Sequence, residues 1–124
     1  MEHAFAPHGG MATAEDIVRQ VRRRCDQPIS QVAKWIVNRT ALNIEWRSRT
    51  LLPLFQFDQE SHTLHVEIVD IAHELRDVLD AWKLCLWFAT PNQLLGDCTP
   101  VDVFANDPQQ VREIASIDRF VAQG

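Results

Sequence analysis

Apolar residues in the first third of the chain recur at intervals of three and four, the spacing of one helix face. A helix is predicted from Thr13 to about Cys25, because Thr13 and Asp16 have the spacing of a capping box. Pro28 opens a second helix, with Trp35 nearby. Its half-buried face is predicted to carry Ile29, Val32, Ala33, Ile36 and Val37. Residues 1–12 show no period and are predicted to be a flexible tail.

The period changes to two between Leu42 and Arg47, where apolar and polar residues alternate as in a strand. A second extended run covers Leu52 to Phe57 and contains Pro53, which favours an edge strand because proline lacks the ladder N–H. We therefore expect a small antiparallel β-hairpin and no larger sheet.

A helix is predicted to begin at Val66 and to continue through Trp82, because its apolar residues form one wide stripe. The stripe consists of Ile68, Ile71, Ala72, Leu75, Val78, Leu79 and Trp82. Acidic residues occupy the other side and indicate a solvated face. From Trp82 to Phe88 the pattern is apolar all round, so this chain or a partner must cover it. We expect Trp82 in the core. Trp87 is either a core residue as well or the anchor of a partner or dimer interface.

Three helix starts of one design follow, each with a side-chain acceptor, then proline, then polar residues. They are Thr90-Pro91-Asn92-Gln93, Thr99-Pro100-Val101-Asp102 and Asp107-Pro108-Gln109-Gln110. Gly96 and Asn106 lie where the preceding helices should end. The predicted fold is mainly α, a small helical domain with a short antiparallel β-hairpin. Residues 13–63 hold the N-terminal helices and the hairpin, and residues 64–124 form a C-terminal helical module.

Charge divides the 124-residue chain, whose formal net charge is −5. Residues 1–57 carry eight Lys/Arg and five acids, a net +3, while residues 58–124 carry four and twelve, a net −8. This division permits a basic side for nucleic acid and an acidic side for a basic protein, or it is ordinary solvated surface. The three cysteines are unpatterned, and no apolar run is long enough for a bilayer. A secretory signal is also lacking, so we expect a cytoplasmic protein with reduced thiols and no membrane contact.

Catalytic and metal patterns are weak. His62-x-x-His65, with Glu60 or Glu67 nearby, is the only hint of a metal site, and it lacks a further ligand pair at the required spacing. The sequence has no glycine-rich phosphate loop and no nucleophile arrangement. We therefore expect neither an enzyme, nor a metal, nor a cofactor.

The segment from Trp87 to Phe104 combines an aromatic helix end, Pro91-Asn92, Leu95-Gly96 and the Thr99-Pro100 helix start. With the helices on either side, roughly residues 64–124, it resembles the toxin-binding domain of Xre/MbcA/ParS-type antitoxins. The resemblance implies a protein that binds and silences a cognate toxin, commonly a RES-domain toxin that consumes NAD. It also implies a homodimer that represses its own operon through an N-terminal helix-turn-helix.

In that family the terminal helix and last residues reach the entrance of the toxin's active site. Carried over to this chain, the resemblance implies that Asp118, Arg119, Phe120 and Gly124 contact the toxin. An acid there would compete with a phosphate-bearing substrate for a basic pocket. The full set of predicted partner-binding residues is Trp87, Pro91, Asn92, Leu95, Asp118, Arg119, Phe120 and Gly124. Within this set, Pro91 and Asn92 are expected first to set the shape of the surface and only second to contact the partner.

The N-terminal half departs from the family, because a strand pattern follows its second helix where a recognition helix is expected. A second hypothesis is a DNA-binding transcriptional regulator that uses the basic half. Its candidate residues are Arg22, Arg23, Arg24, Arg47 and Arg49. Arg47 and Arg49, at the hairpin tip, would contact phosphates or would simply protect an edge strand from aggregation. A third hypothesis is a structural dimer without a toxin.

Overall fold

The computed structural model describes residues 1–22 and 25–123. Over these residues the chain is mainly helical with one small antiparallel sheet, as the sequence predicts. The helices are α1 Glu2–Phe5, α2 Ala14–Val21, α3 Pro28–Val37, α4 Val66–Leu75, α5 Ala81–Ala89, α6 Pro100–Phe104 and α7 Pro108–Gln123. The strands are β1 Met11–Thr13, β2 Ile44–Trp46 and β3 Arg49–Pro53. Short 3₁₀ turns cover Ala6–His8, Leu54–Gln56 and Gln93–Leu95. Of the described helices, none has the length and apolar character needed to cross a bilayer.

The N-terminal segment is packed against the core, so the prediction of a flexible tail for residues 1–12 is wrong. Phe5 is fully buried in the main core and stacks on Phe55 with ring centroids 5.6 Å apart. The N–H of Leu54 donates to the carbonyl of Gly10 at 2.9 Å. One buried ring and a short strand therefore hold a segment that has no helical or strand period of its own.

An antiparallel hairpin is confirmed, but its second strand is Arg49–Pro53 and not Leu52 to Phe57. The expectation of no larger sheet is wrong, because the hairpin belongs to a three-stranded sheet in the order β1-β3-β2. Trp46 pairs with Arg49, which leaves a two-residue turn with positive φ at both Arg47 and Ser48. Because β3 is central, the edge-strand assignment of Pro53 is wrong. Pro53 is the last residue of β3, opposite Met11, where a missing N–H does little harm to the ladder.

Helices α2 and α3 pack over a smaller apolar cluster beside the sheet. The predicted cap is confirmed, since the Thr13 hydroxyl accepts a hydrogen bond from the N–H of Asp16 at 3.2 Å. The predicted face of α3 is only partly right, because Ile29 and Val37 are 70% and 79% exposed. Trp35 takes the inward position instead and packs against Phe57.

The predicted single helix through Trp82 is wrong, because it is divided into α4 and α5. Helix α4 ends at Leu75, and the Asp80 carboxylate caps α5 by accepting from the N–H of Lys83 at 2.8 Å. The apolar stripe of α4 is buried as predicted. Trp82, expected in the core, is 42% exposed and stacks on Trp46 at 6.3 Å.

Two of the three predicted helix starts are confirmed. Thr99 caps α6, and Asp107 accepts from the N–H of Gln110 at 3.2 Å at the start of α7. The first predicted start is wrong, because Thr90 ends α5 and donates its hydroxyl to the carbonyl of Leu86 at 2.6 Å. Asn92 caps the following 3₁₀ turn, which ends at Gly96 in the left-handed conformation.

Helix α7 closes the fold by packing along α4. Ion pairs between Arg112 and Asp70 (3.4 Å) and between Arg119 and Glu74 (3.5 Å) connect the two helices. The main core beneath them also contains Ile44 of β2. It therefore crosses the boundary predicted between residues 13–63 and 64–124.

Candidate partner-binding surface

Three of the predicted partner-binding residues meet at one oxygen atom. The indole Nε1 of Trp87 donates to Oδ2 of Asp118 at 2.8 Å, and Nδ2 of Asn92 donates to the same oxygen at 3.1 Å. Trp87 lies near the end of α5, Asn92 in the following turn and Asp118 on α7. The shared carboxylate oxygen therefore joins three segments, and charge-assisted hydrogen bonds of this kind are stronger than neutral ones.

The backbone around Asn92 fixes the position of its side chain. Its N–H donates to the carbonyl of Cys98, and its carbonyl accepts from the N–H groups of Leu95 and Asp97. Its side-chain Oδ1 accepts from the N–H of Leu94 at 3.0 Å, which leaves Nδ2 to reach Asp118. Every polar atom of Asn92 thus has a hydrogen-bond partner, so the orientation of its side chain is set before any partner binds.

A groove of about 390 Å³ opens beside these three side chains. Its lining consists of Leu79, Lys83, Leu86, Trp87, Thr90, Pro91, Asn92 and Asp118. The predicted residues Trp87, Pro91, Asn92 and Asp118 therefore belong to one surface. Pro91 is exposed and forms part of the wall, although it does not start a helix as expected.

Around Asp118 in the sequence, α7 presents an exposed apolar face. Ile117, Phe120 and Val121 lie at the i, i+3 and i+4 positions of one face, and Phe120 is 79% exposed. Leu86 and Leu94 are exposed on α5 and on the 3₁₀ turn. Large apolar side chains exposed together on one helix face, as on α7, are typical of an interaction surface.

The remaining predicted partner-binding residues differ in their availability. Leu95 is buried, so it shapes the Asn92 turn and is not open to direct contact. Arg119 is half-buried in its ion pair with Glu74 of α4. Gly124 lies outside the described residues.

The predicted nucleic-acid residues are spread over separate elements. Arg22 is exposed at the end of α2, whereas Arg47 and Arg49 are exposed at the hairpin turn. The Arg47 guanidinium lies over the Trp46 ring at 5.6 Å. Arg23 and Arg24 fall outside the described residues. Helix α3 turns apolar residues to solvent, whereas a recognition helix presents polar groups to the major groove.

Sequence reasoning missed two features of the N-terminal segment. Met1 and Met11 line a second groove, of about 570 Å³, together with the stacked Trp46 and Trp82. Nε2 of His8 lies 2.7 Å from Oδ1 of Asp102 and ties the segment to α6. This hydrogen bond is the main cause that lowers the pKa of Asp102. No local signal could reveal either feature, because the contacting residues are far apart in the sequence.

The histidine pair at positions 62 and 65 does not belong to a metal cluster. Within residues 1–22 and 25–123, no group of three or more His, Cys, Asp or Glu side chains is arranged to hold a metal ion. Asp58 instead organises this loop by accepting from the N–H groups of Ser61 (2.9 Å) and Glu60 (2.8 Å), which lower its pKa.

Comparison of the chain with protein-family models, with curated proteins and with solved structures found no match. The chemistry of the surface is therefore the main guide to function. A carboxylate held by two donors, an apolar groove and an exposed apolar helix face are together suited to binding another polypeptide.

Proposed function

We propose that this chain is an antitoxin-like protein, which binds a cognate toxin through α5, the Asn92 turn and α7 and thereby silences it. The observation that carries the proposal is the exposed apolar face of α7, a helix that the cluster of Trp87, Asn92 and Asp118 joins to α5 and to the Asn92 turn. The cluster fixes the relative position of these three segments, and the exposed apolar face of α7 is suited to burial against a partner. A surface of this kind is pre-organised, so little conformational freedom is lost on binding.

Phe120 is the strongest candidate for the centre of the contact. An aromatic side chain on a helix face is able to bury a large apolar area in a partner at a small cost in side-chain entropy. Its neighbours Ile117 and Val121 would exclude water around it, as residues surrounding an interface hot spot do. We expect the face formed by these three side chains to be covered by the toxin.

The resemblance of residues 64–124 to the toxin-binding domain of Xre/MbcA/ParS-type antitoxins supports the same proposal. In that family the toxin is commonly a RES-domain protein that consumes NAD, so we propose a toxin of this class as the partner. The resemblance also implies a homodimer, which sedimentation velocity on the purified chain would detect. The alternative hypothesis of operator binding has less support, given the apolar outer face of α3.

A growth assay tests the proposal directly. The product of the neighbouring reading frame is expressed alone and then with the full chain, with Phe120→Ala or with Val37→Ala. The two substituted side chains are both 79% exposed, but Val37 lies on α3, so it is a matched control. We expect the neighbouring product to arrest growth, and we expect the unaltered chain and Val37→Ala to restore it. Deletion of residues 120–124 should abolish the rescue.

Binding measured by calorimetry gives the magnitude. Loss of a hot-spot aromatic side chain costs about 2 kcal/mol or more, so Phe120→Ala should weaken the complex about 30-fold. Because the side chain is exposed, its removal should change the free energy of unfolding by less than about 0.5 kcal/mol. The proposal is wrong if the unaltered chain neither binds the neighbouring product nor restores growth, or if Val37→Ala and Phe120→Ala lose affinity equally.

A further inference from the structure

Only one of the two carboxylate oxygens of Asp118 accepts hydrogen bonds from the described residues. Oδ2 accepts both hydrogen bonds, from Trp87 and from Asn92. Among the described residues no donor reaches Oδ1, and no buried side-chain oxygen there lacks a partner. Oδ1 therefore has access to solvent. The two donors on Oδ2 hold the carboxylate plane, so Oδ1 is a fixed acceptor at the groove.

The walls of the groove are largely apolar. Leu79, Leu86 and Pro91 line it together with the ring of Trp87. A suitable occupant has an apolar stem for these walls and a cationic head for Oδ1, as long basic side chains do. Arginine fits better than lysine, because its planar guanidinium also stacks on an indole ring. A volume of about 390 Å³ lies near the lower end of ligand pockets, which suits one side chain.

The net charge of this half of the chain also favours a positively charged occupant of the groove. Residues 58–124, which contain the whole groove, carry twelve acids against four Lys/Arg. Such a field attracts a basic surface and repels an acidic one. Lys83 is the cation among the described residues that line the groove, and its charge opposes a basic occupant.

We propose that this groove receives an arginine side chain of the bound protein, with the guanidinium on Oδ1 of Asp118 and its stem along Leu86 and Pro91. The proposal rests on the function proposed above and adds the chemistry of the contact. Asp118 is then a receiving group inside the antitoxin surface, and not an acid that projects into the toxin's own pocket. Trp87 and Asn92 act as positioning residues for it.

Three substitutions test the sign of the contact. Asp118→Asn removes the charge but keeps an amide oxygen that accepts both hydrogen bonds. Lys83→Met removes the opposing cation and keeps an apolar stem. Asp26→Asn makes the same chemical change as the first substitution, at an exposed residue between α2 and α3. Each full-length variant is titrated with the product of the neighbouring reading frame at low and at moderate salt.

We expect Asp118→Asn to weaken the complex by about 10- to 100-fold and to reduce its salt dependence. Lys83→Met should tighten the complex by a few-fold, roughly the loss of one screened repulsion. Asp26→Asn should bind like the unaltered chain. The indole N–H resonance of Trp87 and the thermal midpoint check that the cluster is intact in each variant.

The outcomes separate this inference from the proposed function. If the unaltered chain binds but Asp118→Asn binds equally well, the arginine contact is excluded and the antitoxin function stands. If Lys83→Met weakens the complex and Asp118→Asn tightens it, the occupant is acidic and the inference is wrong in sign. If the unaltered chain does not bind, the proposed function fails and the inference fails with it.

Discussion

Replacing Phe5 with alanine tests whether the N-terminal segment is part of the folded core. The Phe5 ring is fully buried and lies parallel to Phe55, with an angle of 10° between the planes. Phe55 in turn lies 5.2 Å from Phe88 and 5.5 Å from Phe104. These ring contacts connect the N-terminal segment with α6 and with α5, the helix that carries Trp87.

The expected loss follows from burial. Truncation of a buried phenylalanine to alanine costs about 3–5 kcal/mol, because apolar area is exposed and a cavity remains. The stacked pair with Phe55 places the value toward the upper end, since aromatic pairs add about 0.5–1.5 kcal/mol beyond area. Domains are stable by only about 5–15 kcal/mol, so this single change removes a large part of the total. The thermal midpoint should fall by on the order of 15 °C.

Urea unfolding followed by tryptophan fluorescence measures the loss. Ile29→Ala is the control, because this apolar side chain is 70% exposed on α3 and its removal should cost less than about 0.5 kcal/mol. A loss below about 1 kcal/mol for Phe5→Ala, with an unchanged urea slope, would show that the segment is detached from the core. That result would restore the flexible tail predicted from the sequence.

Three further predictions concern the core, the turn and the thiols. Gln56→Leu should lower the free energy of unfolding, measured with urea, by about 2–4 kcal/mol. The buried amide of Gln56 accepts from the N–H of Leu42 (2.7 Å) and donates to its carbonyl (2.9 Å), and an unchanged stability would contradict these hydrogen bonds. Ser48→Gly should stabilise the protein by about 0.5 kcal/mol, because Ser48 has a φ of 65°, a left-handed conformation that glycine adopts without strain. A lower thermal midpoint would contradict this turn geometry. Burial raises the pKa of Cys85 to about 12, so iodoacetamide at pH 8 should alkylate the exposed Cys98 and spare Cys85 in the native protein, as read by mass spectrometry. Equal labelling of both thiols would refute this.

The features predicted correctly from the sequence depend on neighbours a few residues away. The caps at Thr13, Thr99 and Asp107 each accept a hydrogen bond from a backbone N–H three residues on. Alternation from Leu42 to Arg47 indicated the hairpin because side chains in a strand point to opposite faces in turn. Chemistry of this range is visible in one sequence window.

The features predicted wrongly depend on contacts between distant segments. Phe5 needs Phe55 to hold it, and Trp82 is drawn to the surface of β2 by its stack on Trp46. The break between α4 and α5 was hidden because Val78 and Leu79 keep the apolar spacing through the turn. Only the cap at Asp80 marks the new helix, and a single acid within an acidic helix face does not stand out.

The candidate site falls between these two cases. Trp87, Asn92 and Asp118 belong to one predicted set of partner-binding residues, but nothing in the sequence indicates that they share an oxygen atom. Trp87 also shows why its role was hard to assign from the sequence, because its ring packs edge-on against the buried Phe88 at 5.0 Å while its N–H reaches Asp118. The ring of Trp87 therefore belongs to the core, whereas its Nε1 belongs to the candidate site.

That dual position of Trp87 connects the stability of the fold with recognition. The aromatic core reached by Phe5 sets the position of Phe88, and Phe88 supports the ring of Trp87. Trp87 in turn fixes the carboxylate of Asp118, which we propose as the group that receives the arginine. We therefore expect looser packing of the core to disorder the side chains of the groove before the helices unfold. Under the proposed function, we therefore expect that loosening the N-terminal segment weakens binding of the partner. A partner that contacts Asp118 would bind only the fully folded protein. Its binding would therefore stabilise the state in which the N-terminal segment is packed against the core.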